Sequence, residues 1–268
     1  MGMVRIGAVS YLNARPLVEG LDRWPERFSV RYDLPSACAR LLHAHEIDLG
    51  LIPSIEYLRG EGYRIVPGCA VASDGPVASV AIFTSVPIER VRTIALDTSS
   101  RTSVALTRVM AAKYFGIAPV FVDHGPDLRA MIERADAALL IGDPALFADY
   151  EPLGLHKIDL GVAWRDFTGL PFVYACWSGV PGAVDADGVA ALQAARAAGE
   201  RHAEAVAARF FPNDPDRAAI GGRYLRENIR FRLGDQERAG LERFFTLAAE
   251  VGVVPRSQPL RWYGGVRS

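Results

Sequence analysis

Hydroxyl and amide side chains stand close together near the start of the chain, where Ser10, Tyr11 and Asn13 follow the alternating apolar segment 4–9. Polar groups at the carboxyl end of a strand lie at the sheet edge where open α/β folds hold ligands. Ser10 and Asn13 also belong to the residue types that cap helices, and segment 17–21 has helical character. The residues alone leave two interpretations open, one wall of a small-molecule site and a helix cap.

A second polar cluster lies between a predicted strand at 93–96 and a predicted helix at 102–115. Hydroxyls and unpaired N–H groups at a helix N-terminus bind carboxylate or phosphate, because the helix dipole adds partial positive charge there. The cluster lacks the glycines and the lysine of a nucleotide P-loop. The alternative is a helix cap with extra solvated hydroxyls. The predicted anion cradle consists of Ser99, Ser100, Arg101, Thr102 and Ser103.

Three further polar residues stand at predicted strand ends or inside a strand. Ser54 follows the short apolar strand 47–52, and Asp143 follows the apolar strand 137–141. Asp143 can accept a hydrogen bond from a ligand hydroxyl or cap the next turn. Ser79 lies in the apolar segment 77–84, where its hydroxyl either faces a cleft or bonds the backbone. These three residues are predicted to bind a ligand.

The motifs of several enzyme classes are missing from the sequence. It contains no paired glutamates, no GxSxG, no Cys/His/Asn order and no GxGxxG, which gives hydrolase, glycosidase and dinucleotide chemistry no support. His43 and His45 are two residues apart and point to different sides of a helix. We therefore expect no metal and no cofactor, and a reaction that needs little acid–base apparatus.

The composition restricts the partners. With 30 Lys plus Arg against 31 Asp plus Glu in 268 residues, the net charge is -1, so no global field attracts nucleic acid or acidic membranes. The first residues lack the features of a secretory signal, and no apolar run has the length of a membrane span, which predicts a cytoplasmic protein. The scattered Cys38, Cys69 and Cys176 are expected to be buried thiols.

Strand and helix signals alternate up to residue 83 and start again after Pro87. This alternation predicts an α/β fold with a mainly parallel sheet and flanking helices in each of two lobes. Helical patterns over 185–211, 214–228 and 235–251 have no strands to pair with and are predicted to pack on the first lobe. Lobe I is predicted at 1–83 plus 176–268, and lobe II at 84–175. Two hinge crossings, at 77–84 and 172–177, then leave a ligand cleft between the lobes.

Five segments together resemble the chorismate dehydratase family of menaquinone biosynthesis by the futalosine route. The resemblance covers the chain to about residue 177, and its segments are Ser10-Tyr11-Leu12-Asn13 with Arg15-Pro16-Leu17, Ile52-Pro53-Ser54 with Glu56-Tyr57, Asp97 to Ser103, Gly142-Asp143, and Phe167 to Val173. The family has the periplasmic-binding-protein type II fold. The resemblance thus implies the same two-lobed arrangement that the alternation of elements predicts.

The resemblance also implies a reaction, the loss of water from chorismate to give 3-[(1-carboxyvinyl)oxy]benzoate. Removal of the ring proton beside the enol ether and expulsion of the hydroxyl produce a benzene ring, so aromatisation drives the reaction. The protein then has to bind a dianion, exclude water and orient the departing hydroxyl.

Roles for the candidate residues follow from that reaction. Asn13 is predicted to be catalytic, because its neutral amide can donate to the departing oxygen, and Tyr11 is predicted to line the cleft against the ring. One substrate carboxylate is assigned to the cradle and the other to donors near Ser10, Ser54 or Ser79. Asp143 is a candidate acceptor for a substrate hydroxyl. The hypothesis for the base is the substrate's own enolpyruvyl carboxylate.

Two other functions share the fold. A lyase of the same route makes 1,4-dihydroxy-6-naphthoate and uses a histidine, for which His124 is the candidate in the second lobe. A solute receptor without enzymatic activity would have the same architecture. The expected partner is a small carboxylate ligand in each case, and the protein is expected to be a monomer or a homodimer.

Overall fold

The computed structural model describes residues 2–265; residue 1 and residues 266–268, the ends of predicted lobe I, lie outside the described residues. Two five-stranded sheets form the framework. The first sheet has the order β2-β1-β3-β10-β4. Its strands are β1 (Val4–Val9), β2 (Phe28–Asp33), β3 (Leu49–Pro53), β4 (Arg64–Ser73) and β10 (Phe172–Gly179).

The second sheet repeats this plan with the order β7-β6-β8-β5-β9. Its strands are β5 (Val80–Thr84), β6 (Thr93–Asp97), β7 (Val120–His124), β8 (Ala137–Ile141) and β9 (His156–Asp159). The chain enters this sheet through β5 and leaves it after β9. The predicted two-lobed α/β fold is confirmed, with one sheet in each lobe.

Strand directions follow one rule in both sheets. In the first sheet β1 pairs in parallel with β2 and β3, and β10 runs antiparallel to both β3 and β4. In the second, β6 pairs in parallel with β7 and β8, and β5 runs antiparallel to β8 and β9. Four strands of each sheet therefore point the same way. The fifth runs against them because it is the strand that brings the chain across from the other lobe.

Helices cover the sheets. They are α1 (Pro35–His43), α2 (Arg101–Lys113), α3 (Leu128–Ile132), α4 (Gly142–Leu146), α5 (Leu160–Thr168), α6 (Ala186–Arg201), α7 (Ala203–Phe210), α8 (Pro215–Glu227) and α9 (Asp235–Glu250). The last four return to the first lobe as predicted. Gln193 of α6 donates to the Pro67 carbonyl at 2.9 Å, and Phe245 of α9 stacks on Tyr57 of the first lobe at 6.1 Å between ring centroids.

The element predictions missed three features. The segment after β1 forms a 3-10 helix, Leu12–Val18, with Pro16 inside it, instead of a regular helix. Strand β9 and helix α5 were not predicted. Strand β9 has four residues and a single aliphatic side chain, which is too short a pattern to distinguish a strand from a loop.

Two connections join the lobes, residues 74–79 between β4 and β5 and residues 169–171 between α5 and β10. Residues 80–83, assigned to lobe I in the sequence-based division, pair in the second sheet, and residues 172–175, assigned to lobe II, pair in the first. Ala78 in the first connection has a φ of 61°, a left-handed conformation that costs an L-residue about 1 kcal/mol or more. Its amide donates to Asp159 at 2.7 Å and its carbonyl accepts from Lys157 at 2.7 Å, so second-lobe side chains hold this conformation.

Three other observations concern function. The cysteines are buried thiols, as predicted, and burial raises the pKa of Cys38 and of Cys69 to about 12. Within residues 2–265 we find no group of three or more His, Cys, Asp or Glu side chains arranged to hold a metal ion. None of the helices in this range combines the length and the apolar character that a bilayer crossing requires.

Candidate active site

The polar strand ends of the two lobes meet around a cavity of about 40 Å³. Its polar side chains are those of Tyr11, Asn13, Ser79, Ser100, Ser103 and Tyr174. Apolar side chains such as Val9, Leu51, Val71, Val80 and Ile141 form the remaining surface. The part of the chain that the structure describes contributes no charged side chain to this lining.

Asn13 and Ser79 form one wall of the cavity. The Ser79 hydroxyl lies 2.7 Å from the Tyr224 hydroxyl. The pKa of Tyr224 is raised by burial, partly offset by hydrogen bonding to Ser79 and Asn13. The 3-10 helix that contains Asn13 has no side-chain cap. Asn13 therefore does not cap a helix.

Tyr11 packs against the backbone of the opposite lobe. A Cβ atom added at Gly142 would lie 2.9 Å from the Tyr11 ring, and Gly142 has a φ of +64°. Glycine meets both requirements of this position, the left-handed backbone and the close approach. The Tyr11 hydroxyl reaches Ser99 at 3.2 Å, across the cleft.

The predicted cradle after β6 divides into residues that face the cavity and residues that do not. Ser100 caps α2 by accepting from the Ser103 amide at 3.4 Å, and the Ser103 hydroxyl donates to it at 3.1 Å. Both of these serines line the cavity. The start of α2 therefore presents hydroxyls and free backbone amides, which favour an anion. The cradle and cap interpretations both describe part of this segment.

Arg101 and Thr102 turn away from the cavity and contact the first lobe. Arg101 pairs with Glu56 at 2.7 Å, and the Thr102 hydroxyl accepts from the Ile55 amide at 3.1 Å. Ser54 lies 3.3 Å from Thr102 and donates to the Val173 carbonyl at 2.8 Å. We call this contact between lobes the clasp; it consists of Ser54, Ile55, Glu56, Arg101 and Thr102, with His43 and Arg59 on Glu56.

Glu56 is the charged centre of the clasp. Its carboxylate is fully buried and contacts His43 at 3.0 Å, Arg101 at 2.7 Å and Arg59. Burial raises its pKa, but the hydrogen bond from His43 and the charges of Arg59 and Arg101 outweigh burial and hold the pKa below its ordinary value. The charge of Glu56 is neutralised within the protein.

Asp143 makes a third contact across the cleft. Its carboxylate accepts from the Leu12 amide at 3.2 and 3.4 Å, and it caps no helix with its side chain. Burial raises its pKa to about 6, while the Leu12 amide and the charges of Arg15 and Arg217 act in the opposite direction. Asp143 binds the turn after β1 and does not line the cavity.

The structure brings most of the predicted residues to one edge of the cleft, and it adds others. Ser10 and Ser54 lie beside the cavity without lining it; the Ser10 carbonyl accepts from Arg15 at 3.2 Å. Tyr224, Glu56 and Asp97 were not predicted as site residues. The helical pattern of α8 indicates only that Tyr224 is buried. Glu56 and Asp97 belong to the segments that resemble the chorismate dehydratase family, but no role was assigned to them.

The lobes are closed in this structure. Small-molecule pockets usually measure about 300 Å³ or more, whereas this cavity measures about 40 Å³. A ring that carries two carboxylates requires the lobes to move apart at the two connections and close again. Closing then removes water from a chamber that holds neutral donors and acceptors.

Comparison with known proteins identifies the family. The model of a menaquinone biosynthesis family matches residues 4–250. A chorismate dehydratase of Thermus thermophilus is 32% identical over 189 aligned positions, and the match covers 65% of this chain and 68% of that protein. A chorismate dehydratase of Campylobacter jejuni is 28% identical over 178 aligned positions, and the match covers 64% of this chain and 66% of that protein.

Solved structures share the fold at low sequence identity. The periplasmic aliphatic sulphonate binding protein SsuA of Escherichia coli aligns with a TM-score of 0.68 and 18% identity, covering 100% of this chain and 96% of that one. A protein of Archaeoglobus fulgidus aligns with a TM-score of 0.68 and 16% identity over 94% of this chain and 98% of that one. The predicted periplasmic-binding-protein-like fold is confirmed. Since the family model spans nearly the whole chain, this protein belongs to the menaquinone biosynthesis family.

Proposed function

We propose that this protein is a chorismate dehydratase, which converts chorismate into 3-[(1-carboxyvinyl)oxy]benzoate by loss of water in the cleft. The observation that carries the proposal is the cavity, in which Asn13 faces hydroxyl groups of both lobes and no charged side chain of residues 2–265 intrudes. The family assignment and the names of the two relatives support it independently.

A neutral chamber suits this reaction. Aromatisation supplies the driving force, so the protein contributes orientation and electrostatic stabilisation more than strong acids or bases. Asn13 is the proposed catalytic residue. Its amide donates to the departing hydroxyl oxygen from the same wall as Ser79, whose hydroxyl lies 2.7 Å from that of Tyr224. A neutral amide does not repel the substrate dianion.

The start of α2 is the proposed site for one substrate carboxylate. The hydroxyls of Ser100 and Ser103 and the unpaired amides of the first turn converge there. Arg101 contributes to this site indirectly, since its guanidinium pairs with Glu56. Among the predicted donors for the second carboxylate, Ser79 lines the cavity, and Ser10 and Ser54 lie beside it. We therefore assign the second carboxylate to the Ser79 side.

The proposed base is the enolpyruvyl carboxylate of the substrate. Asp143, the carboxylate nearest the turn after β1, is engaged with the Leu12 amide. An analogue in which an amide replaces the enolpyruvyl carboxylate tests this step. It should bind without reacting, and an analogue that reacts at the normal rate would exclude the substrate as its own base.

The alternative lyase reaction requires a histidine in the site. His124 lies at the end of β7, contacts the Gly125 carbonyl at 2.8 Å and does not line the cavity. The described residues thus give the naphthoate-forming reaction no catalytic histidine. A receptor without activity would share the fold and the cleft, and the test below separates it from the dehydratase.

Incubation of the purified protein with chorismate tests the proposal. The diene absorbance should disappear and that of a substituted benzoate should appear, with the product identified by mass spectrometry. Binding of chorismate without conversion would support the receptor instead. A cytoplasmic location and a monomeric or homodimeric state remain predictions, which fractionation of the source cells and light scattering can check.

A further inference from the structure

Asp97, a residue with no role in the scheme above, begins a chain of hydrogen bonds that ends in the cavity. Its Oδ1 accepts from the Ser99 hydroxyl at 2.6 Å and from the Ser99 amide at 3.0 Å. The Tyr11 hydroxyl in turn donates to the Ser99 hydroxyl at 3.2 Å. The chain leads from a fully buried carboxyl group in the second lobe to a cavity-lining tyrosine in the first.

Burial of the Asp97 carboxyl group at this position is energetically unfavourable. Its side chain is fully buried, and its Oδ2 atom has no hydrogen-bond partner among residues 2–265. Burial raises its pKa, against the hydrogen bonds from Ser99. Leaving a buried polar oxygen without a partner costs about 1–3 kcal/mol. Helix α2 does not need this carboxyl group as its cap, because the Ser100 side chain caps it.

The direction of these hydrogen bonds determines whether the Tyr11 hydroxyl is a donor or an acceptor toward the cavity. A carboxylate offers only acceptor atoms, and each hydroxyl has a single proton to donate. With Ser99 donating to Asp97 and Tyr11 donating to Ser99, the free lone pair of the Tyr11 oxygen is left for a ligand. The Tyr11 ring is held against Gly142, so this lone pair has a defined position.

We propose that Asp97 is a positioning residue that acts through Ser99 to hold the Tyr11 hydroxyl as the hydrogen-bond acceptor for the ring hydroxyl of the substrate. The inference rests on the proposed function. In the chorismate dianion the ring hydroxyl is the only O–H group. Tyr11 accepts from it and the Asn13 amide donates to its oxygen, so the two side chains together orient the group that departs. A site that pairs with a hydroxyl discriminates strongly against ligands that lack it.

The reaction product supplies the probe, because it carries both carboxylates and lacks the ring hydroxyl. Ser99→Ala should lower kcat/KM for chorismate by about tenfold, the value of one hydrogen bond of about 1.4 kcal/mol, and Tyr11→Phe should do the same. The dissociation constant of 3-[(1-carboxyvinyl)oxy]benzoate, measured by calorimetry, should change less than about twofold in both variants, because no hydrogen bond to it is lost. Asp97→Asn keeps an acceptor for Ser99 and should retain more activity than Ser99→Ala.

Thr107→Ala is the matched control. Thr107 is a buried hydroxyl on α2 that donates to the Ser103 carbonyl at 2.9 Å and lies outside the chain of hydrogen bonds. Its loss should leave both measurements unchanged. If Ser99→Ala weakens product binding as much as chorismate turnover, Asp97 and Ser99 serve closure of the lobes only, and the inference is wrong. It is equally wrong if Ser99→Ala behaves like Thr107→Ala. Failure of the proposed function looks different, since the unaltered protein would then leave chorismate unchanged.

Discussion

The clasp and the cavity wall lie at neighbouring strand ends but use opposite chemistry. The clasp concentrates charge, with the buried Glu56 among His43, Arg59 and Arg101. The wall of Asn13 and Ser79, whose hydroxyl contacts that of Tyr224, is neutral. Both sets join distant parts of the chain, yet only the wall faces the cavity.

This difference separates holding the lobes from binding the substrate. Buried charges are stable when they are paired, and the clasp pairs its charges within the protein. A substrate dianion that took a guanidinium from the clasp would leave Glu56 partly unpaired. Neutral donors and the α2 N-terminus avoid that competition. We therefore expect wall substitutions to alter the rate and clasp substitutions to alter stability and closure.

Asn13→Ala tests the wall and has the largest expected effect. Loss of one donor to the departing oxygen should lower kcat by about a thousandfold, the upper range for a single stabilising donor. Asn13 caps no helix, so the free energy of unfolding should change by less than about 1 kcal/mol. Urea denaturation and single-turnover kinetics measure the two quantities. A stability loss with an unchanged rate would reverse the assignment of wall and clasp.

Glu56→Ala tests the clasp. Removing the carboxylate leaves two guanidinium groups and His43 without their partner and should lower the free energy of unfolding by about 3 kcal/mol. Glu204→Ala is the matched control, because Glu204 forms an exposed ion pair with Arg226 and its removal should leave the free energy of unfolding nearly unchanged. Equal losses in the two variants would mean that the clasp contributes no more than a surface pair.

The loss of stability at acid pH provides a second test of the clasp. The pKa of Glu56 is held below its ordinary value of 4.5, so the folded protein binds this proton less readily than the unfolded chain. The stabilisation is therefore present above the unfolded pKa and is lost as the pH falls through the folded pKa. Glu56→Gln should show a shallower loss of stability below about pH 4.5 than the unaltered protein. If the two proteins lost stability equally below this pH, Glu56 would not be charged in the folded protein.

Gly142→Ala tests the position of Tyr11. Gly154→Ala is the control, since Gly154 has a φ of +66° with no atom near its added Cβ, whereas the Cβ at Gly142, with a φ of +64°, meets the Tyr11 ring at 2.9 Å. Both substitutions should cost about 1 kcal/mol of backbone strain. Gly142→Ala should in addition lower kcat/KM by about tenfold, as expected for one misplaced hydrogen bond. Equal kinetics in the two variants would exclude the contact between Tyr11 and Gly142 from the reaction.

The fold was accessible from the sequence because its signals are local. Alternating apolar strands and helix caps recur at short spacing, and they predicted the two-lobed α/β arrangement of the two sheets. The strand β9 was missed because four residues carry too little periodicity. The polar residues after β1, β6 and β8 were also found, since strand ends of one direction share one edge.

The contacts that these residues make with the other lobe could not be predicted from the sequence. Ser99 and Ser103 bond to Asp97 and Ser100 of their own segment, whereas Arg101 pairs with Glu56 of the first lobe. Which side of a helix start faces a cavity depends on how the other lobe docks, and no local pattern encodes that. Tyr224 illustrates the limit most clearly, because it contacts the cavity residue Ser79 from a helix 145 residues later in the chain. Its helical pattern predicts burial alone.

Asp143→Asn tests whether the lobes close in solution as they do here. Burial raises the pKa of Asp143 from 3.8 to about 6, so between these values the folded protein holds a proton that the unfolded chain releases. The free energy of unfolding should therefore fall as the pH rises from about 4 to about 6, by on the order of 2 kcal/mol. The amide that this substitution introduces does not titrate but still accepts from Leu12, so this fall should be absent in the variant. Urea denaturation at intervals of pH measures both curves. Identical slopes would mean that water reaches Asp143 in solution and that the contact with Leu12 forms only when a ligand closes the cleft.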